Sequence, residues 1–244
     1  MQKKVAIKLH QVQKHFNLPT YRYHTLRDRI LNSFRPNPSR KIQVLKPLNL
    51  EIYQGECVGI VGRNGCGKST LLKIMSRVYM PDKKGKITLH GSHILLNLGI
   101  GFAPQMTGRE NLYINASILG LKRAEIKEIE QQIIEFSELG DFIHQKIKYY
   151  SSGMVQRLAF SIALHIRADI LFLDEVFAVG DAKFVQKAIR AIEDNFIGKK
   201  TVILVSHAQE HIQKYCNRVL VLNKGELLFD GDPIKAYEIY NQLE

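Results

Sequence analysis

The sequence has no apolar run long enough to cross a lipid bilayer. A transmembrane helix needs about 20 mostly apolar residues, and the apolar runs in these 244 residues are all much shorter. The apolar segment near the N-terminus is also too short for a secretory signal peptide. We therefore expect a soluble chain that does not itself cross a membrane.

Cysteine is scarce and is not spaced for a disulfide framework or a metal site. The three cysteines, Cys57, Cys66 and Cys216, are odd in number and show no CxxC or metal-ligand spacing. This usage is typical of the reducing cytosol. A chain of this length can instead bury a substantial core as one α/β domain, with or without an inserted subdomain.

Acidic residues are nearly missing from the N-terminal part. The first 46 residues contain eleven Lys or Arg residues against one acid, Asp28, so most of the net charge of +12 lies there. No helix-turn-helix, RNP-like or zinc-finger pattern occurs in this part. We therefore expect an anionic membrane surface or an acidic partner, and no nucleic acid. A merely solvated basic face is the alternative.

An amphipathic basic helix is predicted over residues 21–34, inside an insertion over residues 17–46. Arginines occupy the faces beside its apolar stripe. The stripe consists of Tyr23, Leu26, Ile30 and Phe34. Such a stripe either packs on the domain or lies at a membrane interface, and the charge excess favours the interface.

A glycine-rich loop over residues 62–70, GRNGCGKST, fits the pattern G-x-x-x-x-G-K-[ST]. It follows the run CVGIV, which is typical of a buried parallel strand, and precedes a helix-compatible segment. Glycines here let backbone N–H groups point toward phosphate oxygens, and the helix adds the positive end of its dipole. The loop therefore predicts a phosphate-binding site, and the alternative is a chance glycine-rich turn.

The side chains of this loop have predicted roles. Lys68 is expected to reach the β- and γ-phosphates, Ser69 to bind Mg²⁺, and Thr70 to face the α-phosphate side. Cys66 is interpreted as a small side chain that fills the loop. The candidate nucleotide contacts are Gly62, Asn64, Gly65, Gly67, Lys68, Ser69 and Thr70.

A second part of the site is predicted where apolar strands end, because α/β sheets bind ligands at the carboxyl ends of their strands. Asp174 and Glu175 follow the run ILFL. Asp174 is expected to hold Mg²⁺ through water, and Glu175 to activate the water that attacks the γ-phosphate. His207 follows another apolar strand and either faces the same crevice or is a core histidine. Phe16 either stacks on adenine or packs in the domain.

The periodicity of the sequence predicts an α/β fold. Strand patterns flank the phosphate loop, helical patterns dominate the middle of the chain, and strands return before a closing hairpin with Lys224-Gly225 at its turn. We predict a P-loop NTPase core of the RecA-like type with an inserted α-helical subdomain and antiparallel β elements. A single domain over residues 1–244 would divide into a core at 1–104 and 167–244 and a helical subdomain at 105–166.

Six motifs occur along the chain: the loop at 62–70, Gln105 in IGFAPQ, YSSGM at 150–154, Asp174-Glu175, Val179-Gly180-Asp181 and His207. Together, and in this order, they resemble the nucleotide-binding subunit of an ABC transporter over essentially the full chain. The signature-like YSSGM departs from the family's common LSGGQ at Ser152 and Met154 but keeps Ser151 and Gly153.

The resemblance implies an ATPase that forms a homodimer around two ATP molecules with Mg²⁺ and drives a separate integral membrane subunit. It implies that Gln105 contacts phosphate and Mg²⁺, that Glu175 is the general base, and that His207 senses the γ-phosphate.

The resemblance also implies that the site is shared between two chains. Ser151 and Gly153 of one chain would bind the γ-phosphate of the ATP held by the other. Asp181 would contact the nucleotide, and Phe16 would stack on its adenine.

Three segments are similar to the branch that exports bacterial surface polysaccharides: YSSGM, GIGFAPQMTGRENLY and VGD. This implies export of a lipid-linked O-antigen, capsule or teichoic acid from the cytoplasmic face of the bacterial inner membrane. Some members of the branch have an amphipathic helix near the membrane where residues 21–34 stand here. The main alternative is another cargo: a lipid, a drug or a small solute.

Two other classes fit less well. A nucleic-acid-acting ABC ATPase usually has two fused nucleotide domains or a long coiled coil, but each motif occurs once here and no sustained heptads are present. A P-loop kinase or GTPase explains neither the signature-like segment nor the helical subdomain.

Overall fold

Short apolar runs form strands and amphipathic segments form helices in the computed structural model, which describes residues 3–19, 39–96, 101–174, 182–206 and 208–243. The strands are β1 (Val5–Pro19), β2 (Ser39–Tyr53), β3 (Cys57–Val61), β4 (Lys86–Leu89), β5 (His93–Leu96), β6 (Ile170–Asp174), β7 (Thr201–Val205), β8 (Arg218–Asn223) and β9 (Glu226–Gly231). The helices are α1 (Lys68–Met75), α2 (Gly108–Ile118), α3 (Arg123–Ser137), α4 (Ser152–Ala163), α5 (Ala182–Asn195), α6 (Gln209–Tyr215) and α7 (Pro233–Asn241). Two 3₁₀ turns, Gly140–His144 and Ile147–Tyr149, lie between α3 and α4.

A six-stranded sheet in the order β5-β6-β7-β3-β8-β9 lies at the centre of the fold. Neighbouring strands are parallel except β8 and β9, which form an antiparallel hairpin. Asp174 pairs with Val205, and Val205 pairs with Ile60 just before the glycine loop. Asp174 and the loop therefore leave the sheet at the same edge, about 10 Å apart across two strand spacings.

Side chains alternate between hydrophobic clusters on the two faces of this sheet, as the two-residue period of a strand requires. Ile60 and Phe172 face α1 and the three-stranded antiparallel sheet β2-β1-β4. Leu171 and Leu204 face the other side, where α5, α6 and α7 pack. The sequences of the central strands are continuous apolar runs because both faces of the sheet are covered. The predicted fold class, a parallel core with added antiparallel elements, is confirmed.

α2, α3 and α4 form a helical unit with its own hydrophobic cluster, which includes Leu112, Ile126 and Leu158. The helical pattern predicted for the middle of the chain is confirmed. The first of these helices begins at Gly108. The reason is a capping box in which Thr107 and Glu110 satisfy the first backbone donors of α2.

β1 and β2 extend into the insertion that is predicted over residues 17–46. β1 continues to Pro19, and β2 begins at Ser39. The two strands pair antiparallel out to the pair formed by Pro19 and Ser39, so both ends of the expected insertion at 17–46 belong to a β-ladder. The helix predicted over residues 21–34 lies outside the described residues.

The hairpin turn Lys224-Gly225 connects three parts of the core. Both residues have positive φ, 45° and 77°, as a two-residue hairpin turn of the primed type requires. The Gly225 N–H donates to the carbonyl of Cys66 at 3.0 Å, and the Gly225 carbonyl accepts from the N–H of Lys46 at 2.8 Å. β2, the hairpin and the glycine loop are therefore joined through one residue.

Replacing Gly225 with alanine should destabilise the protein more than the same change at Gly198. A Cβ at Gly225 would lie 2.4 Å from the carbonyl oxygen of Val44, whereas a Cβ at Gly198, with a similar φ of 72°, meets nothing within 4 Å. We expect Gly198→Ala to lower the free energy of unfolding by about 1–2 kcal/mol. Gly225→Ala should lower it by about 1–3 kcal/mol more. Denaturant unfolding measures both, and equal losses would show that the turn is not tightly packed against β2.

Candidate nucleotide site

The loop between β3 and α1 packs its backbone tightly against β8 and β2. A Cβ at Gly62 would lie 2.2 Å from the carbonyl oxygen of Leu222, and a Cβ at Gly67 would lie 2.9 Å from the Leu45 side chain. Both positions therefore need glycine. Asn64 and Gly65 are exposed at the tip of the loop.

The start of α1 leaves its backbone donors available to an anion. Gly67 precedes the helix without a side-chain cap, and the first turn contains no acidic residue. The unpaired N–H groups and the positive end of the helix dipole favour a phosphate there. Lys68 adds a buried positive charge. Its Nζ donates to the carbonyls of Gly62 at 2.7 Å and Arg63 at 3.2 Å, which holds the ammonium over the loop.

Cys66 packs behind the loop. Its side chain is buried, and this burial raises the pKa of the thiol. A raised pKa disfavours the reactive thiolate, so Cys66 is suited to fill space in the loop.

Oxygen ligands suitable for Mg²⁺ lie on two elements at this edge of the sheet. Ser69 is exposed in the first turn of α1 with Thr70 half-buried beside it, and Asp174 is half-buried at the end of β6. Mg²⁺ commonly takes one or two protein oxygens together with nucleotide phosphates. Within the described ranges, no group of three or more His, Cys, Asp or Glu residues could hold a metal by itself. The oxygens of Ser69 and Asp174 fit a Mg²⁺ that binds together with nucleotide phosphates.

Gln105 is exposed in the loop of residues 103–107, which we call the Gln105 loop. The backbone carbonyls of the two residues that flank Gln105 both accept hydrogen bonds. The carbonyl of Pro104 accepts from the N–H of Lys148 at 3.0 Å, and the carbonyl of Met106 accepts from the N–H of Ile147 at 2.9 Å. The Gln105 loop is therefore attached to the segment just before the signature-like residues.

Ser151 is the N-cap of α4, and its Oγ accepts from the N–H of Met154 at 3.2 Å. Ser151 and Ser152 are exposed, and Gly153 is half-buried. The hydroxyl and the helix N-terminus are therefore open to an anion. They belong to the helical unit, whereas the glycine loop belongs to the sheet.

Phe16 is half-buried near the end of β1. Its ring packs edge-on against Tyr79, with ring centroids 5.7 Å apart, and the Nζ of Lys14 lies 5.3 Å from its centroid. Sequence reasoning did not point to Tyr79 or Lys14. Stacking of Phe16 on adenine stays a prediction.

Three predicted site residues, Glu175, Asp181 and His207, lie outside the described residues. Their roles stay predictions. The strands before them are described: β6 ends at Asp174 beside the end of β7.

Sequence reasoning missed Asn111, a fully buried residue of α2 whose side chain bonds to the Gln105 loop. A buried polar side chain requires hydrogen-bond partners. The available signal was an asparagine in the helix directly after this loop, beside the core residue Leu112.

A groove of about 770 Å³ runs along α2 beside the Gln105 loop. Its lining includes Met106, Tyr113 and Ile118 together with Arg109 and Arg123. Met106 is 42% exposed and Ile118 is 67% exposed. Neighbouring exposed apolar side chains are typical of a contact surface.

The strand, glycine loop and helix, with an acid at the end of another parallel strand of the same sheet, define a P-loop nucleotide-binding protein. Among the helices described, none combines the length and the apolar character that crossing a membrane requires.

Comparison with known proteins gives the particular family. The ABC transporter family model matches residues 45–178. The chain is 41% identical over 211 residues to the O-antigen export system ATP-binding protein RfbB of Klebsiella pneumoniae, which covers 86% of this chain and 85% of that protein. It is 35% identical over 246 residues to the teichoic acids export ATP-binding protein TagH of Listeria innocua serovar 6a, which covers 100% of this chain and 72% of that protein.

A solved structure shows the same fold. It is an ATP-binding cassette captured as a dimer in a post-hydrolysis state with ADP and Pi, with a TM-score of 0.71, 22% identity, and coverage of 93% of this chain and 98% of that chain. The chain belongs to the ABC transporter family, which confirms the resemblance predicted from the motifs. Its activity is ATP binding and ATP hydrolysis coupled to transport.

Lys68→Ala should weaken ATP binding because it removes the buried charge that is expected to face the phosphates. Hydrogen bonds to charged groups contribute about 1.5–3 kcal/mol, so we expect the Kd to rise about tenfold to a hundredfold. Lys127→Ala, at an exposed position in α3, is the control and should bind ATP normally. Calorimetric titration measures both, and an unchanged Kd for Lys68→Ala would contradict the placement of the phosphates.

Proposed function

We propose that the chain is the ATP-binding subunit of an exporter for a lipid-linked bacterial surface polysaccharide, namely an O-antigen, a capsule or a teichoic acid. The observation that supports this cargo is the similarity, over most of the chain, to two proteins named for O-antigen and teichoic acid export. The subunit would lie at the cytoplasmic face of the bacterial inner membrane against a separate integral membrane subunit.

In this proposal the phosphates of ATP lie in the glycine loop. The loop N–H groups and Lys68 bind the β- and γ-phosphates, and Phe16 stacks on the adenine. Ser69, Asp174 and Gln105 hold Mg²⁺, directly or through water. When bound, the metal offsets phosphate charge and orients the γ-phosphate for in-line attack.

Hydrolysis requires a group that takes a proton from the attacking water. Glu175 directly follows Asp174 and would be this base. His207 follows β7 after one residue and would bond the γ-phosphate, and Asp181 would contact the nucleotide from the segment before α5. Because β6 and β7 are neighbours, the segments after them begin side by side at the carboxyl edge of the sheet, where ligands bind in such folds.

A second copy of the chain would complete each site. The Ser151 hydroxyl and the Gly153 N–H lie at the accessible start of α4, and they would bind the γ-phosphate of the ATP held by the partner. ATP then favours the closed dimer because both chains contact it, and hydrolysis removes that preference.

The groove along α2 would receive a helix of the membrane subunit. This groove begins at Met106, next to Gln105, so an occupant would contact the loop that is expected to touch the γ-phosphate. Arg109 is paired with Glu130, and Glu110 also lines the groove. The exposed Met106 and Ile118 therefore favour a helix with an apolar face.

Glu175→Gln should keep ATP binding, lose most hydrolysis and trap a dimer, because the amide preserves the shape of the carboxylate but cannot take a proton. We expect turnover to fall by about 100-fold or more, and MgATP to shift the purified variant to a dimer in size-exclusion chromatography. Glu210→Gln, an exposed position in α6, should behave like the unmodified protein. Normal turnover by monomeric Glu175→Gln would contradict both the base and the dimer.

Ile118→Glu should block export without affecting ATP hydrolysis by the purified chain, because Ile118 is the last residue of α2 and the Gln105 loop precedes the first turn of that helix. The control is Ile234→Glu in α7, whose isoleucine is 65% exposed, close to the 67% of Ile118. Surface polysaccharide is measured by immunoblot, and lipid-linked polysaccharide is measured in membrane extracts.

We expect Ile118→Glu cells to lose surface polysaccharide and to accumulate its lipid-linked form inside. Ile234→Glu cells should keep both at normal levels. Normal export in both variants would contradict docking at the groove, and normal polysaccharide in cells that lack the whole subunit would contradict the cargo.

A further inference from the structure

The Gln105 loop is a tight turn whose interior is filled by one side chain. The N–H of Met106 donates to the carbonyl of Ala103 at 3.1 Å, which places Gln105 in the turn. The Asn111 Oδ1 accepts from the N–H of Ala103 at 2.6 Å. Its Nδ2 donates to the carbonyls of Ala103 at 3.1 Å, Met106 at 3.3 Å and Thr107 at 2.8 Å.

These bonds leave Gln105 exposed while the backbone around it is fixed. Asn111 has no exposed surface, so its side-chain amide has lost its hydrogen bonds to water and bonds to the backbone of the loop instead. An unpaired buried amide group is costly, and the loop conformation that pairs it is therefore favoured over others. A second set of backbone bonds, from residues 147 and 148, holds the opposite side of the loop.

We infer that Asn111 is a positioning residue for Gln105: it holds the turn in the conformation in which Gln105 reaches the nucleotide site. This inference rests on the role of Gln105 in the proposed function. Asn111 does not itself contact phosphate or metal. It acts on hydrolysis only through Gln105, so removing it has no further effect once Gln105 is gone.

The same helix offers a matched control. Asn115 lies one turn after Asn111, is 7% exposed, and its Nδ2 has no hydrogen-bond partner in the part of the chain that the structure describes. Asn115→Ala therefore removes a buried amide from α2 without releasing the Gln105 loop. Asn111→Asp is the second variant of the positioning residue, because it keeps the size and one acceptor but places an oxygen against three carbonyls.

The first measurement is amide hydrogen exchange in the chain without nucleotide, followed by mass spectrometry of peptides that include residues 103–107. Exchange in this loop should become at least tenfold faster in Asn111→Ala and Asn111→Asp, and should stay unchanged in Asn115→Ala and Gln105→Ala. Thermal unfolding identifies any variant whose global stability has fallen. For such a variant, exchange at residues 103–107 is compared with exchange in β3, a fully buried strand of the central sheet. Unchanged exchange at residues 103–107 would overturn the inference.

The second measurement is a double-mutant cycle on ATP turnover. Gln105→Ala and Asn111→Ala should each lower kcat at least tenfold, with the Kd for ATP within threefold of normal. The kcat of the double variant Gln105→Ala/Asn111→Ala should lie within a factor of two of that of Gln105→Ala. In the control double variant Gln105→Ala/Asn115→Ala, the loss of kcat should equal the product of the losses in the two single variants. Multiplicative loss in the Asn111 cycle would overturn the inference.

The two proposals fail in different ways. Normal turnover by Gln105→Ala would overturn the role of Gln105 in the proposed function, and the exchange result would still decide whether Asn111 holds the loop. Slow ATP turnover by Gln105→Ala together with normal turnover by Asn111→Ala would support the role of Gln105 and overturn the positioning by Asn111.

Discussion

The glycine loop must keep its backbone N–H groups available for phosphate, so it has to be stabilised from behind. Its carbonyl oxygens take part in that stabilisation: those of Gly62 and Arg63 accept from Lys68, and that of Cys66 accepts from Gly225. A loop held through its carbonyls can present its donors without paying to reorganise when an anion arrives. The parallel sheet, the hairpin and β2 all contribute to this one requirement.

The backbone of the Gln105 loop is also held through its carbonyls. The Gln105 side chain is exposed, while neighbouring backbone carbonyls accept hydrogen bonds from Asn111 and from residues 147 and 148. The core and the helical unit have separate hydrophobic clusters. In the proposed function, this loop would carry a displacement of one relative to the other to the nucleotide. In the proposed dimer it also links the phosphate of one site to Ser151, which serves the other site.

Local chemistry explains what could be predicted from the sequence. The glycine loop, the buried strands β3, β6 and β7 and the turn at Lys224-Gly225 each depend on neighbours in sequence, such as glycine conformations or an uninterrupted apolar run. The helices α2, α3 and α4 were predictable from their period for the same reason. The predicted nucleotide contacts of the glycine loop follow from its sequence pattern alone. The predicted roles of Gln105 and Ser151 required the family resemblance.

Tertiary pairing explains what could not be predicted. β5 has four residues and becomes a strand through its pairing with β6, and α6 has seven residues, too few for a periodic pattern. β1 and β2 continue past their alternating segments because each supplies the other's hydrogen bonds. The bond from Gly225 to Cys66 joins residues far apart in sequence, and the contact of Asn111 with Ala103 depends on the turn between them.

The charge of a bound triphosphate gives a physical reason for two chains in the proposed mechanism. Lys68 supplies one buried positive charge, and a metal offsets more, but the remaining charge must be balanced by dipoles and N–H groups aimed at the γ-phosphate. One such source is the start of α1. The start of α4 offers a second, with Ser151 as its cap and an accessible surface. Because α1 belongs to the core and α4 to the helical unit, a partner chain can bring its α4 to the phosphate from the opposite side. Loss of the γ-phosphate then removes the group that both helices share, which is why hydrolysis would weaken the dimer while ADP remains on the glycine loop.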